Sequence, residues 1–452
     1  MIPSATSPHA GQPQISPAPF PSVPDLPRSA DVVVVGAGVA GLACAKHLAA
    51  AGVNVLVIDK ADGVGGRVRS DVVGDFRVDR GFQLFNPAYP EVAKVIDVQA
   101  LHLQAFDAGV AVHRHGRVSA IRDPRRHPAA LLAALRFPLG SAKEKVALLK
   151  WVRSTLSAAD LKGEDTGWSD ALDAAEVHGD LRWSVLEPFL AGVLGEVDGT
   201  TSRRYVDLIV RSFLRGTPGV PAAGMQAVPD QLAASLPLGT VHTGVEALHV
   251  GHGPRTLMAE TTFGAIGAGA IVMASDAGTT AHLVGMPIPD MHALSTFWYA
   301  AGSSPATGAR GKLLHLDGDR NGPIVNTAVM SAVAPSYVLT PGDRRALVSA
   351  QVLGADTSAE VESRVRAQLS RIYGGVNSRT WTLVAAQSIP QALPALPPPF
   401  EGPRPVAVGD GIFVAGDHRE NPSLQGALVS GRRAAAAAAA WIGLGRRHVG
   451  AR

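Results

Sequence analysis

The chain has 452 residues, of which 46% are hydrophobic and 17% are charged, and its net charge at neutral pH is +3. This length predicts two domains, and the apolar content is sufficient for a substantial interior. The basic residues are scattered, which argues against a nucleic-acid-binding protein. Cys44 is the single cysteine, which excludes an internal disulfide and an all-cysteine metal site and is consistent with a reducing, cytoplasmic compartment.

The first 30 residues are rich in proline, serine and alanine and carry almost no charge. They lack the charged start and continuous apolar run of a secretory signal, so we predict a flexible tail over 1–30. A run of about 20 apolar residues, which a membrane-spanning helix needs, does not occur in the sequence.

The segment after this tail has the pattern of a dinucleotide-binding unit. Four valines at 32–35 predict a buried parallel strand, and 42–51 predicts an alanine-rich helix. Between them lie three glycines spaced G-x-G-x-x-G: Gly36, Gly38 and Gly41. The first permits a tight turn, the second a close approach of a pyrophosphate, and the third close packing of helix on strand. Val39 and Ala40 precede the helix, and the N–H groups at its start would face the phosphates.

A second strand is predicted over 53–58 and ends at Asp59. A carboxylate there is placed to accept hydrogen bonds from the hydroxyls of an adenosine ribose. These features predict a dinucleotide site without choosing between NAD and FAD. The later pair Gly267 and Gly269 lacks the third glycine of the motif, so a second dinucleotide site is not predicted.

The residues after Asp59 distinguish the two cofactors. Lys60 and a short loop lead to Gly65-Gly66-Arg67, which resembles the second glycine motif of the flavin amine oxidase superfamily. That superfamily includes phytoene desaturases and protoporphyrinogen oxidases. The resemblance implies a non-covalent FAD, with both glycines close beneath the cofactor and Arg67 facing its pyrophosphate or flavin end, where an arginine fork suits a diphosphate.

Two further stretches resemble segments of the same superfamily. The stretch 76–85 resembles the one that runs past the flavin, which implies that Gly81 and Phe82 contact the cofactor and that Gln83 and Phe85 lie near the substrate. The stretch 240–250 resembles a strand and turn that meet the adenine. Val245 in this stretch is the candidate for contact with the adenine, through its backbone N–H and C=O.

The C-terminal stretch 411–432 closely resembles the flavin signature of the superfamily. Gly416 and Asp417 end a strand, and Asp417 would bond the ribityl chain or the pyrophosphate. N–H groups at the start of the next helix would face the N1 and O2 edge of the flavin, where a helix N-terminus stabilises negative charge. The residues implied there are Leu424, Gln425 and Ala427, and the alanines at 434–440 predict that this helix continues.

The predicted fold is α/β, with a Rossmann-like FAD-binding domain assembled from discontinuous segments and a second, α+β substrate domain whose mixed sheet is covered by helices. The FAD-binding domain is predicted over 31–90, 221–288 and 402–445, and the substrate domain over 91–220 and 289–401. Helical spacing of apolar residues makes the first substrate segment mainly helical, with predicted helices over 92–96, 131–135, 146–156 and 205–214. In the second, 297–299 and Val338 predict strands and 359–372 predicts an amphipathic helix.

The resemblance implies an FAD-dependent oxidoreductase in which the flavin accepts a hydride from a substrate C–H bond. The C-terminal motif looks more like that of desaturases, which implies dehydrogenation of an apolar, isoprenoid- or polyene-like substrate, with O2 or a quinone as electron acceptor. The sequence names no catalytic base. His113 and His115 have no third ligand at a suitable spacing, so no metal site is predicted.

Two alternatives remain open at this point. An amine oxidase would oxidise a C–N bond with O2, but amine oxidases usually carry an aromatic residue in the C-terminal motif, and Ser423 stands at the matching position. Trp298, Tyr299 or Trp381 could supply the missing ring and are candidates for the substrate pocket. The other alternative is a flavin-binding protein without turnover.

The stretch 129–153 mixes leucine and alanine with lysine and arginine. This composition is compatible with peripheral contact with a membrane surface. A core-packed helix pair with a solvated basic face is the competing interpretation. The oligomeric state is not indicated by the sequence.

Overall fold

Two β-sheets covered by helices organise the part of the chain that the computed structural model describes, residues 26–123, 138–156, 163–254, 256–306 and 308–449. One sheet has eight strands and the other has seven, and two short antiparallel pairs lie beside them. This arrangement confirms the predicted α/β class with a second, mixed sheet.

The strands, numbered in chain order, have the following bounds. They are β1 (Ser29–Val35), β2 (Val55–Asp59), β3 (Ser70–Val73), β4 (Phe76–Asp79), β5 (Gln104–Ala105), β6 (Gly109–Arg114), β7 (Arg117–Arg122), β8 (Gly219–Val220), β9 (Val241–Thr243), β10 (Ala247–His252), β11 (Leu257–Thr261), β12 (Gly264–Met273), β13 (Met291–Ala301), β14 (Leu314–Asp317), β15 (Ile324–Val329), β16 (Ala346–Leu353), β17 (Thr382–Pro394), β18 (Ala407–Gly409) and β19 (Ile412–Val414).

The α-helices of the described ranges are numbered in the same way. They are α1 (Val39–Ala50), α2 (Val92–Val95), α3 (Ala142–Ser154), α4 (Trp168–Ala174), α5 (Gly179–Leu181), α6 (Glu187–Leu194), α7 (Arg203–Arg215), α8 (Ala227–Ala234), α9 (Ala277–Val284), α10 (Met330–Val333), α11 (Ala359–Ile372) and α12 (Leu424–Val449). A π-helical turn, Arg182–Leu186, joins α5 to α6, and a 3₁₀ turn, Asp417–Arg419, follows β19.

The eight-stranded sheet has the order β10-β11-β12-β1-β2-β9, and β19 pairs with β12 and with β18. Strands β9, β2, β1, β12 and β19 run parallel to one another, whereas β11 pairs antiparallel with β12 and β18 pairs antiparallel with β19. The valines of β1 are buried on both faces: Val32 and Val34 pack with α1, and Val33 and Val35 pack in a second core. Because parallel strands end at the same edge of a sheet, the turns after β1, β2 and β19 meet there.

The seven-stranded sheet has the order β17-β13-β16-β15-β14-β6-β7. All of its pairs are antiparallel except β14 with β6. Helix α11 covers one face through Val365 and Leu369, which pack against Phe297 and Tyr299. The opposite face carries Trp298 in the core cluster that also contains the residues of α1.

Two elements differ from the sequence prediction. The segment 91–220 is not only helical, because β6 and β7 form a hairpin that joins the second sheet. Val338 does not lie in a strand: it follows the 3₁₀ turn Pro335–Tyr337 and makes only a single bridge with Phe76. Strand β17 extends through Pro390, which the edge of a sheet tolerates because an edge strand has a side without ladder hydrogen bonds.

The predicted helix over 131–135 and the first part of the basic stretch 129–153 lie outside the described residues. Helix α3 contains residues 142–153 of that stretch, and a capping box between Ser141 and Glu144 fixes its start. Among the helices of the described ranges, none has the length and apolarity required to cross a membrane.

Candidate cofactor and substrate site

The glycines of the first motif have distinct surroundings. Gly36 has a φ of +116°, and a Cβ there would collide with the backbone of Ala274 at the end of β12. A Cβ on Gly41 would overlap the carbonyl oxygen of Gly36, so α1 packs directly on the turn. A Cβ on Gly38, by contrast, would meet no atom within 4 Å. The turn is therefore tight where helix meets strand and open at Gly38, where a pyrophosphate is predicted to lie.

Asp59 fixes the two loops that surround this opening. One carboxylate oxygen accepts from Ala37 N at 2.6 Å and the other from Ala61 N at 2.8 Å. Since each carboxylate oxygen can accept more than one hydrogen bond, Asp59 retains acceptor capacity for ribose hydroxyls. The start of α1, with Val39 and Ala40, lies in the same turn and is buried.

Val245 is buried beside Asp59, and its N–H donates to the Asp59 carbonyl oxygen at 2.8 Å. The prediction that both backbone groups of Val245 meet the adenine is therefore wrong for the N–H, because the loop itself uses that donor. The carbonyl of Val245 remains a candidate acceptor.

The second glycine motif lies against the first. Gly65 N donates to Ala37 O at 2.9 Å, and Gly38 and Gly65 form a bridge. Gly66 has a φ of +61°, and a Cβ on it would lie 3.4 Å from the Cα of Gly38. Lys60, exposed at the start of this loop, is one of the groups that favour the charged form of Asp276 at the N-terminus of α9.

Arg67 links three distant parts of the chain. Its guanidinium donates to Ala392 O in β17 at 2.7 Å and to Asp417 Oδ1 at 2.6 Å. Burial lowers the pKa of Arg67, but the charge and hydrogen bond of Asp417 outweigh it and hold the pKa above the usual value. Because Asp417 is 7% exposed at its side chain, this pair fixes the turn after β19 against the second glycine motif.

The start of α12 is organised by Ser423. Its Oγ accepts from Gly426 N at 3.0 Å, and its carbonyl accepts from Ala427 N at 2.9 Å. The N–H groups of Leu424 and Gln425, also in the first turn, are the ones that intrahelical bonds cannot satisfy. They are therefore able to donate to a bound group. The Gln425 side chain is already used, since its Oε1 accepts from Glu91 N at 2.9 Å.

Gly416 precedes this turn with its backbone anchored to α12, because its N–H donates to Ser430 Oγ at 2.8 Å. A Cβ at Gly416 would collide with the ring of His418. The end of β19 therefore lies close to α12, and Asp417 lies at the same edge as the two glycine motifs.

The loop after β4 joins this edge to the second sheet. Gly81 N donates to Gln387 Oε1 at 2.9 Å, and Phe82 N donates to Thr296 Oγ1 at 3.1 Å. Gln83 donates to Arg67 O at 2.7 Å. Its side chain thus holds the two loops together. Phe85 is completely buried behind this loop, so it supports the loop from the core instead of lining an open pocket.

The three aromatic candidates for the substrate pocket do not share one face. Trp298 lies on the face toward the glycine motifs, and its indole N–H donates to Gln387 Oε1 at 3.2 Å. Tyr299 and Trp381 pack against each other and α11 on the opposite face. Successive residues of a strand point to opposite sides, so Trp298 and Tyr299 cannot both face one pocket. The predicted pocket role of Tyr299 and Trp381 is therefore wrong.

Comparison with known proteins agrees with this geometry. Residues 39–439 match the family described as flavin containing amine oxidoreductase. The chain belongs to this family. It is an FAD-dependent oxidoreductase, and its single cysteine, Cys44, is buried within α1.

Curated relatives of this oxidoreductase act on different substrates. The chain is 40% identical over 84 residues to a putrescine oxidase from Kocuria rosea, a match that covers 18% of each chain. It is 42% identical over 77 residues to a 15-cis-phytoene desaturase from Narcissus pseudonarcissus, which covers 17% of this chain and 13% of the relative. These matches span less than a fifth of either relative.

The fold resemblance extends over nearly the whole oxidoreductase. An oxidoreductase from Methanosarcina mazei has a TM-score of 0.69 and 17% sequence identity, and the match covers 89% of this chain and 99% of that chain. At this identity the likeness establishes the fold, which is the predicted two-sheet FAD-binding architecture.

Sequence reasoning missed two residues that organise the site of this family member. Gln387 accepts from both Gly81 N and the Trp298 indole, although more than 300 residues separate Gly81 from Gln387, and nothing in the sequence marks it. Asp79 is completely buried and accepts from Ser70 Oγ, Tyr337 Oη and Met225 N. An acidic residue two positions before Gly81 is visible in the sequence, so Asp79 could have been identified as a candidate.

In the described ranges no group of three metal-binding side chains occurs, and His113 bonds instead to His315 at 2.8 Å.

We expect the Asp79→Asn variant to lose less stability than the wild type as pH rises above about 4. Burial raises the pKa of Asp79 in the fold, so the folded state binds its proton more tightly than the unfolded chain. The stability of the wild type should then fall as pH rises from about 4, the pKa of an unfolded aspartate, through the raised folded value. Chemical unfolding midpoints across this window test it. A constant difference between the two proteins at every pH would contradict the expectation.

Proposed function

We propose that this oxidoreductase dehydrogenates a C–C bond of an apolar, isoprenoid- or polyene-like substrate. When bound, FAD supplies the hydride-accepting chemistry. The protein must then hold an apolar chain beside the ring and exclude water from it.

The observation that carries the proposal is the role of Ser423. Its hydroxyl caps α12 and also bonds Asn421 Oδ1 at 2.5 Å, so this position offers no aromatic ring. Tyr299 and Trp381 face away from the site and cannot replace it. An amine substrate would therefore lack the ring that the C-terminal motif usually provides in amine oxidases, and Trp298, whose indole N–H donates to Gln387, is the one of the three aromatic candidates that faces the site.

The surroundings of the Gly81 turn also support an apolar ligand. Phe82 and Phe106 make an edge-to-face contact with ring centroids 6.1 Å apart. Both pack with Trp298 in one core cluster, together with Leu316 and Ala328 of the second sheet. Apolar side chains dominate pockets for small molecules, and this face supplies them beside the predicted flavin position.

Anaerobic mixing with candidate substrates tests the proposal. We expect the visible flavin absorbance of the FAD-loaded protein to bleach with phytoene in detergent or liposomes and to persist with putrescine. Bleaching by putrescine but not by phytoene would overturn the proposal in favour of amine oxidation. The same experiment, followed by admission of O2 or a soluble quinone, identifies which acceptor restores the absorbance; we propose one of these two.

We further propose that α3 contacts a membrane surface, through which an apolar substrate would arrive. Val146 and Leu149 are 52% and 68% exposed, and Lys143, Lys150 and Arg153 are exposed on the same helix. Apolar and basic groups together favour an anionic bilayer.

Co-sedimentation with liposomes containing anionic lipid at low salt tests this contact. The wild type should sediment with the liposomes, and Leu149→Gln should do so less. The matched control is Leu238→Gln, which removes an exposed leucine from another surface and should leave sedimentation unchanged. Equal sedimentation of all three proteins, or none by the wild type, would contradict the proposal.

A further inference from the structure

A second cleft lies beside the cofactor edge, between α9 and the turn that follows β19. The empty space in and in front of it is about 270 Å³, of which part is open solvent. Its walls combine apolar groups with nitrogen-bearing side chains, and those that matter here are Ala277, Ala281, Met286, Arg404, His418 and Arg419.

Arg419 is the most unusual of these residues because its guanidinium is buried. The residue is 8% exposed, and its Nη2 donates to Pro405 O. Its Nε is buried and has no hydrogen-bond partner in the part of the chain that the structure describes. An arginine side chain stays protonated in proteins, so this group places a charge in a poorly solvated position.

The charges around Arg419 do not neutralise it. Glu420, which follows Arg419 in the sequence, pairs instead with Arg433 at 2.6 Å. Arg404 is exposed at the mouth of the cleft, and its weak bond is to a carbonyl, that of His418. Burial, Arg404 and Arg433 together lower the pKa of Arg419.

The other titratable groups that face the cleft do not compensate the positive charge of Arg419. Burial lowers the pKa of His418 to about 4, so its imidazole is neutral at pH 7. Asp417, adjacent in sequence, is paired with Arg67. Among the described residues, neither Arg404 nor Arg419 has a carboxylate within ion-pair distance. A buried charge without a partner is costly, which favours an anion as the missing group.

We propose that this cleft binds a small oxyanion, a phosphate or carboxylate group, with Arg419 and Arg404 as its cationic partners and His418 as a hydrogen-bonding neighbour. Ala281 and Met286 favour a ligand that carries an apolar group beside the anion. The residues that line the cleft do not include Gly38 or Gly66, and the proposal does not depend on which substrate is oxidised.

Calorimetric titration of the FAD-loaded, full-length protein tests the proposal. The probes are inorganic phosphate and phenyl phosphate at constant ionic strength, with the flavin absorbance recorded to show that FAD stays bound. Both probes should bind, phenyl phosphate more tightly. Arg419→Gln should weaken binding by about tenfold or more, the loss expected for one charge-assisted contact. Arg117→Gln, which changes an exposed arginine on β7, should bind as the wild type does.

Two further variants keep the test decisive if Arg419→Gln does not fold. Arg404→Gln alters an exposed residue and should also weaken phosphate binding. Met286→Glu supplies a carboxylate to the cleft, so it should abolish phosphate binding and raise the thermal midpoint of the unliganded protein. The proposal is overturned if the wild type binds neither probe, if these variants bind phosphate as the wild type does, or if phosphate binds only after FAD has been removed.

Discussion

Gly38→Val is expected to give a folded protein that does not retain FAD. Gly38 has a φ of −70°, which valine tolerates, and a Cβ there meets no atom within 4 Å. The unliganded fold should therefore keep its stability within about 0.5 kcal/mol, as for other uncongested surface positions. The added methyl groups would occupy the space predicted for the pyrophosphate, and overpacking of about 3 kcal/mol corresponds to roughly a hundredfold weaker FAD binding.

The matched control for this change is Gly302→Val. Gly302 is also free of neighbours within 4 Å and lies at the end of β13, outside the cofactor edge. Fluorescence titration of FAD into the apoproteins should show wild-type affinity for Gly302→Val and a large loss for Gly38→Val. Retention of FAD by both variants would mean that the cofactor does not pass over Gly38.

The ion pair between Arg67 and Asp417 should be the strongest single link among the distant segments of the cofactor edge. Arg67→Met leaves Asp417 buried and without its cation, whereas Asp417→Asn leaves Arg67, which is 38% exposed, in contact with water. We therefore expect Arg67→Met to destabilise the fold by about 2–3 kcal/mol, the cost of an unpaired buried charged group, and Asp417→Asn by less. Both variants should also bind FAD more weakly.

Urea unfolding and FAD titration of the two single variants and the double variant test this asymmetry. The control is Arg345→Met, which removes the solvent-exposed arginine that pairs with Asp75 and Asp343 and should destabilise the fold less than Arg67→Met does. Arg67→Lys should not restore FAD binding, because one ammonium cannot reproduce the fork that reaches both Ala392 O and Asp417. Equal effects at positions 67 and 345 would contradict the proposed link.

Local sequence determined the parts of the site that lie within one supersecondary unit. The spacing of Gly36, Gly38 and Gly41 and the position of Asp59 follow from one strand-turn-helix-strand unit, in which each conformational demand is met by a near neighbour. The same holds for α11, whose apolar period predicts its observed bounds.

Contacts between distant segments could not be predicted in the same way. The hydrogen bond from Gly81 N to Gln387 depends on how the second sheet packs against the loop after β4. Gln387 belongs to no motif, so the sequence does not indicate this bond. Side chains alternate along β13, which predicts that Trp298 and Tyr299 face opposite sides of the sheet. Only the packing of α11 determines which of the two faces the helix. The use of the Val245 N–H by Asp59 likewise depends on a loop approaching another loop.

The flavin content of the purified full-length protein tests the central claim most directly. We expect about one FAD per chain by absorbance, released into the supernatant by acid precipitation because the cofactor is predicted to bind without a covalent bond. A colourless protein that takes up no FAD on titration, or a flavin that stays with the precipitated chain, would contradict the account.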